Sequence, residues 1–291
     1  MIDSRFLAAA AVLFVAGAAP ALAQDAPSSA ATDAQIADDY DKDSVTIGIG
    51  GTYVPDYDGS DNYRISPGPV AIGSVKGFNF SVIGNRGSVD LIPNRPGQKI
   101  DLQFGPIAVL NFDRSTLSTI DDPRIRALGK RSTTLELGGY VGLGKTGIIT
   151  SPYDRLAVSV SYRQGVTGAH RSYIWQPTIN YITPLSRKAA VGFYGSAQYV
   201  GQGYADTYFT ITPTQSIASG LPAFNARKGW KNYTAGGFAT YSLTGNLLHG
   251  FKIVAGGGYT RLLNDYSYSP VVRIAGSKSQ WLGAVGVAYT F

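Results

Sequence analysis

The stretch that decides the fold is residues 279–291, which read S-Q-W-L-G-A-V-G-V-A-Y-T-F. Apolar and aromatic side chains alternate here with small or polar ones. One face carries Trp281, Val285, Val287, Tyr289 and Phe291, and the other carries Gln280, Ala284, Gly286, Ala288 and Thr290. A period of two residues is typical of a β-strand with one apolar face. Similar segments recur along the chain, so the sequence predicts an all-β protein.

The N-terminal part of the chain does not follow this pattern. Residues 6–19 are almost entirely apolar, and A-L-A at 21–23 precedes Gln24. This arrangement is typical of a secretory signal and too short for a transmembrane helix, so we expect cleavage after Ala23. Residues 24–43 are rich in Ala, Ser and Asp, which predicts a flexible periplasmic leader. A barrel is then expected over residues 44–291.

Composition narrows the class of protein further. The 291 residues include 36 Gly and 19 Tyr but no Cys, and the formal net charge is +6. No later stretch is apolar for eighteen residues, which excludes a helical membrane protein. A Gly- and Tyr-rich chain of alternating strands favours an outer-membrane β-barrel over a soluble domain. Two His and no Cys give no metal-ligand spacing, so we expect neither a metal nor a cofactor.

Twelve strands can be marked from the alternation, an even number as in bacterial single-chain barrels. The pair around Gly84 and Asn85 is short, and omitting it gives the alternative of ten strands. The predicted strands are 44–54, 63–73, 78–83, 86–92, 99–112, 132–143, 154–164, 171–182, 188–200, 230–243, 249–262 and 279–291. In a closed antiparallel barrel, the first and last of these strands pair with each other.

The connections between these strands sort by length. The long ones, 113–131, 201–229 and 263–278, all fall at one end of the barrel. Shorter ones fall at the other end, as expected when both termini are periplasmic. The 201–229 connection is aromatic and lightly charged, so we expect it to fold over the barrel mouth as a lid.

The alternation also assigns the two faces of the wall. Residues expected to meet lipid are Leu135, Leu137, Val141, Leu156, Val158, Val160, Tyr162, Trp175, Ile179 and Tyr181. The lumen face is mostly Gly, Ser, Thr, Asn and Gln, with the charged residues Arg86, Asp90, Asp101, Glu136, Arg163 and Lys252. Charges of both signs can pair and fill a narrow lumen, or they can set the ion preference of a wet pore. With about twelve strands, we expect a narrow or filled interior.

Two outer loops contain candidate binding residues. The first includes P-D-Y-D-G-S at 55–60, where Asp56, Tyr57, Asp58 and Ser60 form either a structural turn or a ligand site. Calcium is disfavoured because no Glu follows to complete the ligand set. The second loop, 113–131, contains Arg124, Arg126, Lys130 and Arg131. These side chains are either simply solvated or placed to bind lipopolysaccharide phosphates or a host surface.

The motif P-D-Y-D-G-S-D-N-Y-R at 55–64, followed by a short proline-containing strand, resembles the N-terminal signature of the MipA/OmpV outer-membrane family. Later segments agree and extend the resemblance over essentially the whole mature chain. They are Y-A-D-T-Y-F-T-I-T-P-T-Q at 204–215, A-S-G-L-P-A-F at 218–224, G-W-K at 229–231, Y-T-R-L-L-N-D at 259–265, S-P-V-V-R at 269–273 and V-G-V-A-Y-T-F at 285–291.

This resemblance implies a monomeric barrel in the outer membrane of a Gram-negative bacterium, with no established enzymatic activity. The family's namesake links a murein hydrolase to a penicillin-binding protein, which implies a scaffold in the cell envelope. Other members are linked to osmotic or antibiotic response and to host adhesion. The alternative is a narrow passive pore or small-molecule channel, or a surface adhesion protein. No nucleic-acid motif is present, and none is expected for an exported barrel.

An enzymatic alternative rests on His170 and Ser172, an H-x-S pair that is similar to the pair in outer-membrane phospholipase. A serine nucleophile needs an adjacent base that is itself held by a third group. Strand parity places Ser172 on the lumen face with Gln176 and Thr178, whereas a lipid-hydrolysing serine must face the bilayer. We therefore expect no hydrolase activity.

Overall fold

The computed structural model describes residues 43–94 and 97–291. The predicted signal at 1–23 and all but the last residue of the predicted leader at 24–43 lie outside the described residues. Within the described part, twelve antiparallel strands form one closed barrel. The strands are β1 Ser44–Pro55, β2 Tyr63–Val75, β3 Phe78–Ile83, β4 Arg86–Val89, β5 Ile100–Asn111, β6 Thr134–Thr146, β7 Arg155–Gly165, β8 Tyr173–Pro184, β9 Ala189–Val200, β10 Gly229–Ser242, β11 Gly250–Leu262 and β12 Ser279–Thr290. Twelve strands are therefore confirmed against the alternative of ten.

The barrel closes where the sequence predicts it. β12 pairs antiparallel with β1, from Thr46 opposite Thr290 to Tyr53 opposite Gly283. Beyond the last strand residue, Phe291 N donates to Val45 O at 2.9 Å. Closure leaves no unpaired edge strand to aggregate. None of the helices within the described ranges is long and apolar enough to cross a membrane.

The β3–β4 hairpin is the shortest part of the wall. β4 ends at Val89 rather than at residue 92, and Gly84, with φ +58°, makes the tight turn into it. β2 pairs with β3 over residues 70–75 alone, so the rest of β2 extends beyond the hairpin. Pro67 lies in that extension, where its missing N–H needs no partner strand.

Apolar side chains cover the outside of the barrel. Ile49, Val141 and Val285 are each more than half exposed, at 63%, 57% and 61%. Of the residues predicted to face lipid, Leu137, Val141, Val158, Val160, Tyr162, Trp175 and Ile179 are exposed, whereas Leu135, Leu156 and Tyr181 are partly covered. Such a band is stable only when lipid surrounds it, as in a transmembrane barrel.

The hydrophobic core lies at one end of the barrel and not inside it. The end with the long connections is called the loop end here, and the opposite end the turn end. Helices α1 Pro123–Ala127, α2 Gln202–Tyr208, α3 Pro213–Ser219, α4 Asn264–Tyr268 and α5 Pro270–Arg273 all lie in loop-end connections. The name lid is used here for residues 56–62, 112–133, 166–172, 201–228 and 263–278.

The lid packs around one buried cluster. Four connections supply its buried members, and Ala169 of a fifth, 166–172, packs against them. The buried members include Tyr57, Ile120, Ile125, Leu128, Tyr204, Tyr208, Phe209, Leu221, Tyr266, Val271 and Val272. Burying this many aromatic and aliphatic side chains stabilises the loops as a unit, at roughly 1.5–3 kcal/mol per large side chain. The predicted lid role of 201–229 is confirmed, and four other loops share it.

Candidate functional site

An ion pair joins the lid to the barrel wall. Lys231, near the loop end of β10, places Nζ 2.5 Å from Asp58 Oδ2 and 3.2 Å from Tyr204 Oη. The ammonium also lies 5.0 Å from the centre of the Tyr204 ring. Lys231 is buried, so both charges are largely out of water and depend on each other. The contact therefore fixes the first loop and α2 to the wall at the same point.

A second carboxylate lies beside this ion pair. Asp113 Oδ1 accepts a hydrogen bond from Asp58 N at 3.0 Å. Burial raises the pKa of Asp113 to about 6, although nearby Arg114 opposes the change. Burial, with the charge of Asp58, also raises the pKa of Tyr204 well above its ordinary value. Because Tyr204 stays protonated, its hydroxyl can donate to Asp58 Oδ2, 3.4 Å away.

The other candidate residues of the first loop also lie inside the lid. Asp56 Oδ2 accepts from Asp121 N at 3.3 Å, Tyr57 Oη donates to Ala275 O, and Ser60 Oγ accepts from Asn62 N at 3.0 Å. These contacts give the motif a structural role in holding the lid together. Over residues 43–94 and 97–291, no group of three or more His, Cys, Asp or Glu could hold a metal ion. Ligand binding by the four candidates stays a prediction.

In the basic loop at 113–131, some cationic side chains contact the lid and others are exposed to solvent. Arg131 is only partly exposed, and its Nε donates to Thr207 O at 2.9 Å. Arg114 is buried and donates to Tyr208 O at 2.7 Å. Arg124 pairs with Asp122 at 2.6 Å, whereas Arg126 and Lys130 are exposed. Arg131 therefore contacts the lid, and phosphate binding by the four candidate cations stays a prediction. Arg114, a further cation of the same loop, also holds the lid.

Three of the charged lumen side chains, Glu136, Arg163 and Arg86, form one network near the loop end. Glu136 Oε2 lies 3.0 Å from Arg163 Nε, and Glu136 Oε1 accepts from Asn111 at 3.2 Å. Arg163 also donates to Gln176 Oε1 at 2.8 Å. Arg86, on the opposite side of the network, donates to the same Gln176 oxygen at 3.2 Å. One glutamine thus connects two arginines that share a single neighbouring carboxylate.

The remaining lumen charges lie near the turn end and have local partners. Asp101 forms an ion pair with Arg155, a residue that the sequence analysis did not single out. Lys252 Nζ donates to Leu247 O at 2.6 Å. Asp90 follows the last residue of β4 and accepts from the backbone N–H groups of Ile92 and Phe104. These three residues therefore close turns or pair across strands.

His170 and Ser172 are not hydrogen-bonded to each other. His170 Nε2 lies 3.3 Å from Glu136 Oε1, and His170 Nδ1 has no hydrogen-bond partner. Ser172 is therefore not hydrogen-bonded to the imidazole. Both residues are buried within the lid, where the rings of Tyr204 and Tyr208 pack edge-on against His170.

Comparison with known proteins identifies the family. The family model described as MltA-interacting protein MipA matches residues 47–291, which include nearly all of the barrel and the whole lid. The chain belongs to the MipA family. No curated protein matches it. Together with the closed barrel and its apolar outer band, MipA membership identifies an outer-membrane β-barrel.

Solved barrels resemble this MipA-family chain only distantly. An outer-membrane channel from Pseudomonas putida F1 is 12% identical with a TM-score of 0.42, over 86% of this chain and 95% of that one. The CymD monoaromatic hydrocarbon channel is 11% identical with a TM-score of 0.39, over 87% and 90%. The DcaP channel of Acinetobacter baumannii is 8% identical with a TM-score of 0.35, over 86% and 96%. Similarities this low do not indicate whether this chain transports a solute.

The described part of the turn end of this MipA-family barrel is basic. Within the described residues, its exposed charged side chains are Lys76, Lys99, Lys145, Arg187, Lys188 and one acid, Asp43. The carboxylate of Asp43 is already hydrogen-bonded within the turn, since it accepts from the backbone N–H of Lys76 at 2.5 Å. The other acids at this end, Asp90, Asp101 and Asp154, are buried. Among the described residues, the turn-end surface therefore presents five exposed cations and a single exposed acid, Asp43.

Proposed function

We propose that this chain is a non-enzymatic scaffold of the Gram-negative outer membrane, and that it docks a murein hydrolase and a penicillin-binding protein at its turn end. The observation that carries the proposal is the lid. Packed loops with a buried core cover the loop end, which suits a structural barrel better than one for bulk passage. The family description, MltA-interacting protein, supports a murein hydrolase as the partner.

The turn end supplies the surface for such a partner. Short turns of outer-membrane barrels face the periplasm, where murein enzymes work. Five exposed Lys and Arg side chains favour a partner with an acidic surface, because complementary charge steers association and fixes orientation. Apolar side chains lie among them, with Ile149 66% and Leu185 65% exposed. Each can provide a hydrophobic contact at the centre of a charged rim.

A pull-down from envelope extracts tests the scaffold. The bait is the full-length protein, and a second bait lacks residues 24–43. A third bait carries Glu at Lys76, Lys99, Lys145, Arg187 and Lys188. The matched control carries Glu at five exposed loop-end cations, Arg126, Lys130, Arg171, Lys228 and Lys278. We expect capture of a murein hydrolase by the full-length protein and the control, and loss with the turn-end variant. Absence of murein enzymes from every sample would contradict the scaffold proposal.

Lipopolysaccharide is the proposed ligand of the loop end. Arg126 and Lys130 are exposed, and neither has an ion-pair partner among the described residues. Guanidinium groups bind phosphates through paired hydrogen bonds. Native mass spectrometry in detergent should detect lipopolysaccharide on the wild type and on the turn-end variant, with much less on the loop-end variant. Equal binding by all three proteins would contradict this assignment.

A narrow passive pore is the second candidate, because the lumen wall is polar and carries charges of both signs. Single-channel recording in planar bilayers distinguishes the two functions. The scaffold predicts little conductance for the wild type, because the lid covers the mouth. Steady open channels in the wild type, unchanged when Lys231 is replaced, would favour the pore.

A further inference from the structure

The lumen contains an excess positive charge beside Arg86. Arg86 and Arg163 both donate to Gln176 Oε1, at 3.2 and 2.8 Å, so the two guanidinium groups are close neighbours. The neighbouring carboxylate, Glu136, already accepts hydrogen bonds from Arg163 and Asn111, and it also contacts His170. Within the described residues, no ion pair is formed by Arg86. One cation of this network therefore lacks a counterion.

An uncompensated cation away from bulk water is unfavourable, and a bound anion relieves the cost. Arg86 is suited to such a role because its planar guanidinium has donors left after the contact with Gln176. Arg86 is only partly buried, and its contact with Gln176 places the guanidinium on the lumen side of the wall. Arg163 is only 3% exposed, so it would attract an anion through its charge without contacting it directly.

The position of Arg86 provides access. It is the first residue of β4 and directly follows the exposed turn of Gly84 and Asn85. Among the described loop-end connections, this turn is the one that has no residue in the core of the lid or packed against it. The wall is also shortest here, because β2 extends beyond its pairing with β3. A small solute can thus approach Arg86 beside the lid.

We propose that the lumen beside Arg86 binds a small anion, a carboxylate or phosphate group, held by the guanidinium of Arg86 and stabilised by the charge of Arg163. Carboxylate and phosphate oxygens match paired guanidinium N–H donors, which a lysine does not offer. The site is independent of the scaffold role, since it lies in the lumen at the loop end and not on the turn-end surface.

Bromide diffraction locates the site directly. Crystals of the wild-type protein are soaked in bromide, and anomalous maps are calculated. We expect a bromide ion within hydrogen-bond distance of the Arg86 guanidinium. Bromide confined to the solvated arginines of the lid, with none at Arg86, would overturn the proposal. This result depends on no variant, so it stands even where a substitution impairs folding.

Calorimetry with inorganic phosphate and acetate in detergent measures the affinity. Arg86→Gln keeps a donor for Gln176 but removes the charge, and binding should weaken roughly ten- to a hundredfold, as for loss of a charge-assisted hydrogen bond. Arg86→Lys should give an intermediate affinity. The matched control is Arg261→Gln, which removes a cation that donates to Ser279 on another strand. Binding by Arg86→Gln equal to that of the control would refute the site, whereas the outcome of the pull-down would be unaffected.

Discussion

Lys231 Nζ lies 2.5 Å from Asp58 Oδ2, a contact that spans 173 residues of sequence. It joins a barrel strand to the first loop, and Tyr204 of the lid contacts both partners. The barrel wall and the lid are therefore linked through one buried charge pair. Since removal of one member leaves the other charge unpaired, this contact is the most sensitive point of the lid.

Replacement of Lys231 by Met should loosen the lid. Asp58 would remain largely shielded from water beside Asp113 without a cation, at a cost of about 3–5 kcal/mol. The measurement is the rate of limited proteolysis within residues 201–228 in detergent micelles, which should rise. Lys228→Met, which removes an exposed cation nearby, should change nothing. Unchanged proteolysis in Lys231→Met would show that the pair does not hold the lid.

Asp113 should make lid stability depend on pH. Its pKa is about 6 in the folded lid, against an ordinary value of 3.8. A raised acid pKa means that the unfolded state ionises first, so lid stability falls as pH rises from about 4 to 6 and is lowest above that, by roughly 3 kcal/mol. Hydrogen exchange of lid amides, corrected for intrinsic rates, should show protection falling over this range.

Asp113→Asn provides the control for that pH dependence. The amide oxygen can still accept from Asp58 N, but it cannot ionise. The fall in protection between pH 4 and 6 should therefore disappear in this variant. Persistence of the same profile in Asp113→Asn would assign the effect to another group.

Glu136→Gln should destabilise the barrel. The substitution leaves Arg163 buried without its carboxylate, and the cost of breaking such a pair is about 3–5 kcal/mol. Urea unfolding in detergent, followed by the shift in gel mobility of the folded barrel, measures the loss. The double variant Glu136→Gln with Arg163→Gln should recover part of it. A double variant less stable than the single one would contradict this interpretation.

Deletion of Phe291 should impair barrel assembly. Its backbone N–H donates to Val45 O, which extends the pairing of β12 with β1, and its ring lies 4.7 Å from that of Tyr289. The folded fraction after insertion into vesicles, read from gel mobility, should drop. Phe291→Tyr keeps both contacts and should insert normally. Normal assembly of the truncated chain would count against a role for this residue in closure.

The wall of the barrel could be predicted because the alternation of apolar and polar residues within each strand shows which positions face lipid. Outward positions such as Val141 and Val158 are apolar since they meet lipid, whichever strand lies beside them. The β3–β4 hairpin was the weakest prediction because four residues of β4 contain too few alternations to define a strand. The alternation placed Glu136 and Arg163 on the lumen face but did not predict that they pair, which the structure shows on two adjacent strands.

The lid could be predicted only in outline. The aromatic 201–229 segment indicated a covering loop, but nothing near Lys231 in sequence points to Asp58. Arg114 and Arg131 occur in a run of cations that is typical of a solvated loop, yet both donate to carbonyl groups of α2. Irregular loops lack a period, so their partners are set by packing between distant segments.

The sequence by itself determined the barrel, its closing strands and its lipid-facing side. A period of two residues repeats along the strands, and the polarity of each position reflects whether it faces lipid or the lumen. The tertiary structure alone decided which charges are buried, which cations hold the lid and which arginine lacks a counterion. These properties depend on contacts between residues far apart in the chain, such as Asp58 with Lys231 and Arg86 with Gln176. Their energies arise from burial, which no local pattern records.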